Sequence, residues 1–272
     1  ALPRQKRRRK RSSVLSDKEV IVASEEERQL QRMKGRLQDL ADRSWRQNQY
    51  TFSGFLSMAE QSILLESKPK LPVDMMLWGG AEGAERRVAR FGSERELGYE
   101  QDFPIVCLQI TPLAEKFAEP FTHRDVLGAV LHLGIDRSMV GDIYPEGKEG
   151  WMFCLEPVAS FIVGQLEQIR HTRVKCEIAD IPEALAHREP MRRQINVAGL
   201  RCDNLVAEVW RSQSLELFAQ KRVFIDGRQQ ENNSRPLKEG EMVTVRGFGR
   251  FIYCKECYRT KKGRLAVEVA VF

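Results

Sequence analysis

The chain has 272 residues, of which 42% are hydrophobic, and its 44 Lys and Arg outnumber its 38 Asp and Glu for a net charge of +6. This length allows two domains with separate cores, and no apolar run approaches the roughly 20 residues that cross a bilayer, so we expect no membrane partner. The six cysteines have no framework spacing, which favours reduced thiols in a soluble, cytoplasmic protein.

The positive charge is concentrated at the two ends of the chain. Residues 1–16 hold seven basic and no acidic residues, 17–186 hold 20 basic and 28 acidic, and 187–272 hold 17 basic and 10 acidic. These segments therefore carry +7, −8 and +7. An acidic body between two basic ends indicates that an anionic polymer binds at the ends.

The N-terminal part combines a charged tail with a mostly helical region. Residues 1–20 form a basic tail that we predict to be disordered and to be a candidate arm for nucleic acid. Residues 21–100 are predicted to be an N-terminal α/β region, beginning with a helix that has Leu37 and Ala41 on its apolar stripe. The predicted elements are helices over 25–47, 53–65 and 81–89, and a strand over 73–78.

The central part, residues 101–180, alternates strands and helices in the order βαββαβ. This order indicates a two-layer ferredoxin-like sandwich, a fold that often presents its sheet to RNA. Residues 181–190 are the predicted linker, although their first part could form a short helix. The predicted elements are strands over 103–110, 141–144, 151–155 and 173–178, and helices over 124–133 and 157–169.

The C-terminal part, residues 191–272, has the order helix, helix, hairpin and strand. Asp203 is the predicted cap of a first helix whose apolar residues Leu205, Val206 and Val209 lie on one face. Ser212 is the predicted cap of a second helix, and its predicted buried residues are Leu215, Phe218 and Ala219.

Strands complete this C-terminal part. Asp226-Gly227 predicts a tight hairpin turn after an apolar run, and a short strand over 242–245 follows. A terminal β-hairpin is predicted from strands over 251–258 and 265–271. The whole chain is therefore predicted to be α+β.

Basic residues surround the C-terminal helices and strands, which favours a phosphate backbone as the partner. The predicted RNA-binding residues are Arg192, Arg193, Arg201, Arg211, Ser212, Gln213, Lys221, Arg222, Arg228, Arg246 and Arg250. A possible second RNA contact in the preceding parts comprises Arg86, Arg87, His123, Arg124 and Arg137.

The C-terminal order of elements resembles the S-four domain, an RNA-binding module. Several separated motifs extend the resemblance to the YlmH family of bacterial proteins, over about 45–272. These motifs are Thr51–Ser57 with Glu60-Gln61, Gly79-Gly80, Ala84–Arg87, His123–Gly128, Leu133–Ile135, Arg137 and Gly141–Ile143. The resemblance implies a central RNA-binding domain and a C-terminal S-four domain. It also implies binding to ribosomal RNA and tRNA on the large ribosomal subunit, in ribosome-associated quality control of stalled nascent chains. We expect a monomer.

The C-terminal part departs from the usual S-four pattern at one position that bears on binding. S-four helices commonly carry Arg after the Ser, and Gln213 stands there in this chain. One phosphate contact implied by the family is therefore absent.

Catalytic and metal sites are not predicted. His123-Arg124-Asp125 imitates a kinase catalytic loop, but Val130 occupies the position of the required Asn, and a cap for the adjacent helix is the other role open to His123 and Asp125. Cys254 and Cys257 have metal-ligand spacing but no second ligand pair. We expect no cofactor. The alternative to a non-catalytic factor is an RNA-modifying enzyme, and its candidate residues are His123, Asp125 and Asp142.

Overall fold

The computed structural model describes residues 17–187 and 190–272, and most of the predicted basic tail lies outside them. Within these residues no helix is long and apolar enough to cross a membrane. The helices are α1 (Asp17–Gln47), α2 (Met58–Ser67), α3 (Glu94–Leu97), α4 (His123–His132), α5 (Glu156–Gln165), α6 (Glu183–Ala186), α7 (Cys202–Trp210) and α8 (Ser214–Ala219). Short 3-10 helices cover Lys68–Lys70, Glu115–Phe117 and Arg137–Met139.

The strands form three antiparallel sheets, which confirms the α+β class. They are β1 (Thr51–Leu56), β2 (Met75–Trp78), β3 (Arg87–Phe91), β4 (Ile105–Pro112), β5 (Val140–Glu146), β6 (Glu149–Leu155), β7 (Gln168–Ile169), β8 (Thr172–Ile178), β9 (Met191–Val197), β10 (Val223–Ile225), β11 (Arg228–Gln229), β12 (Met242–Val245), β13 (Gly249–Arg259) and β14 (Leu265–Val271).

The N-terminal region packs α1 and α2 against a sheet of order β1-β3-β2. Leu37 and Ala41 of α1 are buried in its core, as their helical spacing predicts. Residues 17–20, predicted to be part of the disordered tail, are the first residues of α1. Ser57 and Glu60 form a reciprocal capping box at the start of α2, which stabilises this end of the helix.

Two elements of this region differ from their sequence predictions. The helix predicted over 53–65 begins only at Met58, because residues 51–56 are strand β1. The helix predicted over 81–89 is instead a turn followed by β3. Pairing with both β1 and β2, and the complete burial of Val88 and Ala89, outweigh the helical propensity of this segment.

The central region is a ferredoxin-like sandwich, as predicted. Its sheet has the order β5-β6-β4-β8, with the two-residue strand β7 added at the β8 edge. Helices α4 and α5 cover one face of the sheet, where Val126, Val130 and Ile162 are fully buried. Helix α6 occupies the first part of the predicted linker.

The opposite face of the central sheet is not freely presented. Phe153 of β6 and Cys107 of β4 are buried there against Phe55 and Val88 of the N-terminal sheet. Over its central strands this face is therefore covered by the N-terminal region and is not free to contact RNA. The sequence alone could not place one domain upon another.

The C-terminal region has a six-stranded sheet of order β11-β10-β12-β13-β14-β9 beneath α7 and α8. Leu205, Val206 and Val209 of α7 are buried in its core, which confirms that part of the prediction. The Asp226-Gly227 turn is also confirmed, with φ of 49° and 74° at its two residues.

The helix caps in this region differ from the predictions. Helix α7 starts after Arg201, and Asp203 is a buried residue of its first turn. Helix α8 starts at Ser214, so Ser212 is not its cap.

The buried face of α8 differs as well. Its buried residues are Ser214, Leu217 and Phe218, whereas Leu215 is 63% exposed and Ala219 is exposed. A helix of six residues is too short for its periodicity to be read reliably from the sequence.

The C-terminal region contacts the N-terminal region through its first hairpin. A Cβ added to Gly227 would lie 2.8 Å from the carbonyl carbon of Met58, at the start of α2. Arg228 also forms a 2.9 Å ion pair with Glu66, at the other end of the same helix. The hairpin tip therefore lies directly along α2.

Candidate nucleic-acid interface

The turn between β12 and β13 builds a surface that we call the basic corner, defined by Lys221, Arg222, Arg246 and Phe248. Gly247 and Gly249 flank Phe248 with φ of 85° and 123°. Only glycine adopts such angles without strain, so the turn can project Phe248 outward. The Phe248 side chain remains 41% exposed.

Arg222 holds the basic corner together. Its Nε donates a 2.9 Å hydrogen bond to the carbonyl oxygen of Arg246, and its Nη2 donates to the same oxygen. Its guanidinium lies 5.5 Å from the ring centroid of Phe248. This geometry leaves Arg222 engaged with the protein, so its main effect is to position the turn.

Arg246 and Lys221 present charge at the basic corner. The Arg246 guanidinium stacks 4.3 Å above the ring of Phe224, and the residue is exposed to solvent. Lys221 forms a 3.2 Å ion pair with Glu231 between two exposed side chains. An exposed pair of this kind contributes little and can be exchanged for a phosphate.

The turn between α7 and α8 carries a second group of the predicted residues. Arg211 has a left-handed φ of 48°, and its exposed side chain makes no hydrogen bond or ion pair with any residue that the structure describes. Gln213 is also exposed and occupies the N-cap position of α8. The Ser212 hydroxyl is shielded from solvent, with no hydrogen-bond partner among the described residues.

Three further predicted arginines have partners within the C-terminal region. Arg192 forms a 2.9 Å ion pair with Glu268, and Arg201 forms a 2.5 Å ion pair with Asp203. Hydrogen bonding to Asp203 raises the pKa of Arg201. Arg193 donates a 2.5 Å hydrogen bond to the carbonyl oxygen of Val209, at the end of α7. Arg193 therefore satisfies a helix-terminal carbonyl close to Arg211.

Two predicted arginines form ion pairs with the N-terminal region. Besides the Arg228 ion pair, Arg250 forms a 2.8 Å ion pair with Glu85 and donates a 2.9 Å hydrogen bond to the Gly83 carbonyl oxygen. The Arg250 side chain is only 15% exposed and lies over the ring of Phe272. These contacts join the two regions.

The predicted second set gathers around the start of β5. Arg86 donates hydrogen bonds to the carbonyl oxygens of Phe55 and Val140, at 2.7 and 3.1 Å, and Arg137 donates to that of Val140 at 2.5 Å. Burial lowers the pKa of Arg137 to about 10, with the charge of Arg86 adding to the effect. Arg87 donates to the Ala84 carbonyl oxygen at 2.9 Å. These guanidiniums bind backbone of the same chain.

The proposed catalytic candidates have structural partners. Asp142 accepts backbone hydrogen bonds from Glu85 at 2.5 Å and Arg86 at 3.0 Å, which anchors the turn before β3. Asp125 forms a capping box with Thr122 at the start of α4, as one of its predicted roles required. Those hydrogen bonds lower the pKa of Asp125.

The other two members of the predicted second set, His123 and Arg124, lie in the first turn of α4, and both are exposed. Partial shielding from water lowers the pKa of His123, and the positive charge of Arg137 adds to this effect. The cap of α4 is Thr122, so His123 is its first residue and not a cap.

Phe248 is a candidate contact that the sequence prediction omitted. Its ring centroid lies 6.3 Å from that of Trp210 and 5.5 Å from the Arg222 guanidinium, and 41% of the residue remains exposed. An aromatic residue between two glycines, Gly247 and Gly249, within a basic turn was the signal available in the sequence. Exposed aromatic rings beside arginines are typical platforms for unstacked RNA bases.

In the part of the chain that the structure describes, no group of three or more His, Cys, Asp or Glu could hold a metal ion. Cys254 and Cys257 lie on β13, where the first is half-buried and the second is exposed. Irregular register at Cys254 and at Cys257 bends this strand.

The chain is similar to known proteins over its central region and over most of its length. Residues 99–183 match the family model described as "Putative RNA-binding domain in YlmH". The chain is 29% identical over 227 residues to "Ribosome-associated protein quality control protein P2" of Bacillus subtilis (strain 168), covering 81% of this chain and 88% of that protein. These two matches confirm the resemblance to the YlmH family and support an RNA-binding role.

A solved structure is also similar. "Cell division protein ylmH from Streptococcus pneumoniae" aligns with 55% of this chain and 90% of its own, at 15% identity and a TM-score of 0.45.

Proposed function

We propose that this chain is a non-catalytic, cytoplasmic RNA-binding factor that acts as a monomer. It binds ribosomal RNA and tRNA on the large ribosomal subunit, in ribosome-associated quality control of stalled nascent chains. The observation that carries the proposal is the basic corner, where Arg246 and Phe248 are both exposed in one turn of an S-four-type domain. The match of the central region to an RNA-binding family and the name of the Bacillus subtilis relative support it.

The chemistry of this surface suits folded RNA. Phosphates bind guanidinium groups through charge-assisted hydrogen bonds, and Arg211 and Arg246 offer guanidiniums without a carboxylate partner among the described residues. A splayed base can stack on the exposed Phe248 ring. The arginines would recognise the phosphate backbone and Phe248 an unpaired base, as expected for a factor that binds ribosomal RNA and tRNA.

A catalytic role has no comparable support. Asp125 and Asp142 are occupied by hydrogen bonds that stabilise the start of α4 and the turn before β3. A general base needs to reach the proton that it removes. The alternative, an RNA-modifying enzyme, is tested separately. If a substoichiometric amount of the protein leaves modified RNA, the protein is an enzyme.

Co-sedimentation with purified large subunits, with and without bound tRNA, tests the proposal. The wild-type chain should sediment with subunits, and more so when tRNA is present. Arg211→Gln combined with Arg246→Gln should weaken sedimentation broadly and reduce the salt slope by roughly one unit per residue.

Arg95→Gln combined with Lys116→Gln gives a control of equal charge. The Arg95 side chain is 86% exposed and lies in the N-terminal region, and Lys116 stands on an exposed turn of the central region. If both double variants sediment like the wild type, neither Arg211 nor the basic corner at Arg246 binds the subunit, and the proposal is wrong.

A further inference from the structure

Helix α1 carries an unusual arrangement of arginines. Arg28, Arg32, Arg36, Arg43 and Arg46 recur at spacings that bring them onto one side of the helix. At 3.6 residues per turn they fall within an arc of about 80°, and they extend over about 27 Å along the axis. Such a stripe is narrow and straight enough to follow a polyanion.

The stripe lies on the solvent side of α1. Leu37, Ala41 and Ser44 bury the opposite side against the N-terminal sheet, with exposures of 5%, 0% and 0%. All five arginines are exposed. No element of the described chain covers this face, so the arginines are available to a partner.

The charges of the stripe are only partly compensated, because Asp39 is the one acidic residue of 28–47 that falls within the same arc. From 28 to 47 the helix has six basic residues and two acidic ones, Asp39 and Asp42. Arg46 has a marginal 4.0 Å ion pair with Asp42. Arg28, Arg32, Arg36 and Arg43 have no ion pair with any described side chain. Hydrogen bonds from Ser138 lower the pKa of Asp136, and the charge of Arg36 adds to this at longer range.

The positive charge of this helix face contrasts with the net negative charge of the surrounding protein, so simple exposure to solvent does not explain the arginine stripe. Residues 17–186 hold 20 basic and 28 acidic residues, so a net positive helix face stands on a net acidic body. Solubility does not require basic residues to be gathered on one side of a single helix. All five residues of the stripe are arginines, and a planar guanidinium can donate two parallel hydrogen bonds to two oxygens of one phosphate.

We propose that the outward face of α1 is a second RNA-binding surface, which grips the phosphate backbone of the same structured RNA that the basic corner contacts. This inference rests on the proposed RNA-binding function. Two contacts with one RNA raise the overall affinity, because after the first is made the second forms at high effective concentration. An acidic protein partner is the rival occupant, and the test separates the two.

The experiment measures binding of the full chain to purified large ribosomal subunits and to free tRNA across a salt series. The variant is Arg32→Gln, Arg36→Gln and Arg43→Gln together, since Gln keeps helix propensity close to that of Arg. Losing three phosphate contacts should reduce the salt slope by about two to three units and weaken binding about tenfold at moderate salt.

A matched variant controls for net charge. Arg95→Gln, Lys116→Gln and Lys175→Gln remove the same three charges from exposed positions elsewhere and should leave affinity near wild type. Equal losses in both variants would show a non-specific charge effect and overturn the inference. Unchanged binding of the α1 variant would also overturn it and would leave the acidic protein as the occupant.

The Arg211 and Arg246 variants are run in the same series. If they lose binding while the α1 variant does not, the basic corner binds RNA and the inference about α1 is wrong. If they retain binding while the α1 variant loses it, the proposed function of the S-four-type domain is wrong, and α1 is itself an RNA-binding surface.

Discussion

Replacing Gly227 by Ala should separate the β10–β11 hairpin of the C-terminal region from α2. Gly227 has a φ of 74°, and its added Cβ would lie 2.8 Å from the carbonyl carbon and 2.9 Å from the Cβ of Met58, and closer still to the backbone nitrogen of Ala59. Real Cβ atoms do not approach backbone this closely. Since the α2 backbone cannot turn aside like a flexible side chain, the hairpin itself must move.

The expected cost has two parts. A left-handed φ in a non-glycine residue costs roughly 1–2 kcal/mol. Overpacking against a rigid neighbour adds about 1–3 kcal/mol, so the total is about 2–5 kcal/mol. Displacement of the hairpin tip should also weaken the adjacent ion pair of Arg228 with Glu66.

Gly263→Ala isolates the first part of this cost. Gly263 has a φ of 77°, nearly that of Gly227, but nothing lies within 4 Å of its added Cβ. Urea unfolding of both variants gives the free-energy difference that belongs to the contact with α2. Hydrogen exchange of peptides covering 57–67 should rise in Gly227→Ala and stay at the wild-type rate in Gly263→Ala.

Equal destabilisation of the two variants, with unchanged exchange in α2, would refute the reasoning. It would mean that the hairpin tip does not pack against Met58 and Ala59 in solution. The C-terminal region would then be free to reorient, and the ion pairs of Arg228 and Arg250 would not position it.

Three further outcomes are expected. Gln213→Arg should tighten RNA binding by on the order of 1 kcal/mol and steepen the salt slope, measured by titration, because a guanidinium at the exposed start of α8 adds a charge-assisted phosphate contact; unchanged affinity would place RNA elsewhere. Asp142→Ala should lower the free energy of unfolding by about 1–3 kcal/mol, because two backbone N–H groups lose their acceptor; normal stability with lost turnover would instead favour the enzyme. Iodoacetamide at mildly alkaline pH should modify exposed Cys257 first and spare Cys154, Cys176 and Cys202, since burial raises the pKa of these three thiols to about 12; peptide mass spectrometry showing equal labelling would contradict their burial.

Local patterns in the sequence were sufficient for much of the fold. The spacing of Leu205, Val206 and Val209 predicted the buried face of α7, and Asp226-Gly227 predicted a hairpin turn that the structure contains. The alternation between 101 and 180 predicted the ferredoxin-like order of strands. Each signal acts between residues close in the chain, where propensity and periodicity decide the outcome.

Where distant segments competed with local propensity, the predictions were wrong. The segment 81–89 has helix-forming residues, but 87–91 becomes the middle strand of a sheet because β1 and β2 pair with both of its edges. Strand β1 was missed for the same reason. The sequence also did not indicate that Phe55 and Val88 of the N-terminal sheet cover one face of the central sheet, because this contact joins segments that are distant in the chain.

The candidate site shows the same division. The amino-acid sequence established that the C-terminal region is basic and that the arginines of this region cluster near two helices and a hairpin. It could not say which arginines are available, since Arg228 and Arg250 meet Glu66 and Glu85 across 162 and 165 residues of chain. Composition and local pattern determine which charges and elements this protein has. Only tertiary packing decides which guanidiniums join its domains and which remain for RNA, because an ion pair depends on distance in space and not on distance along the chain.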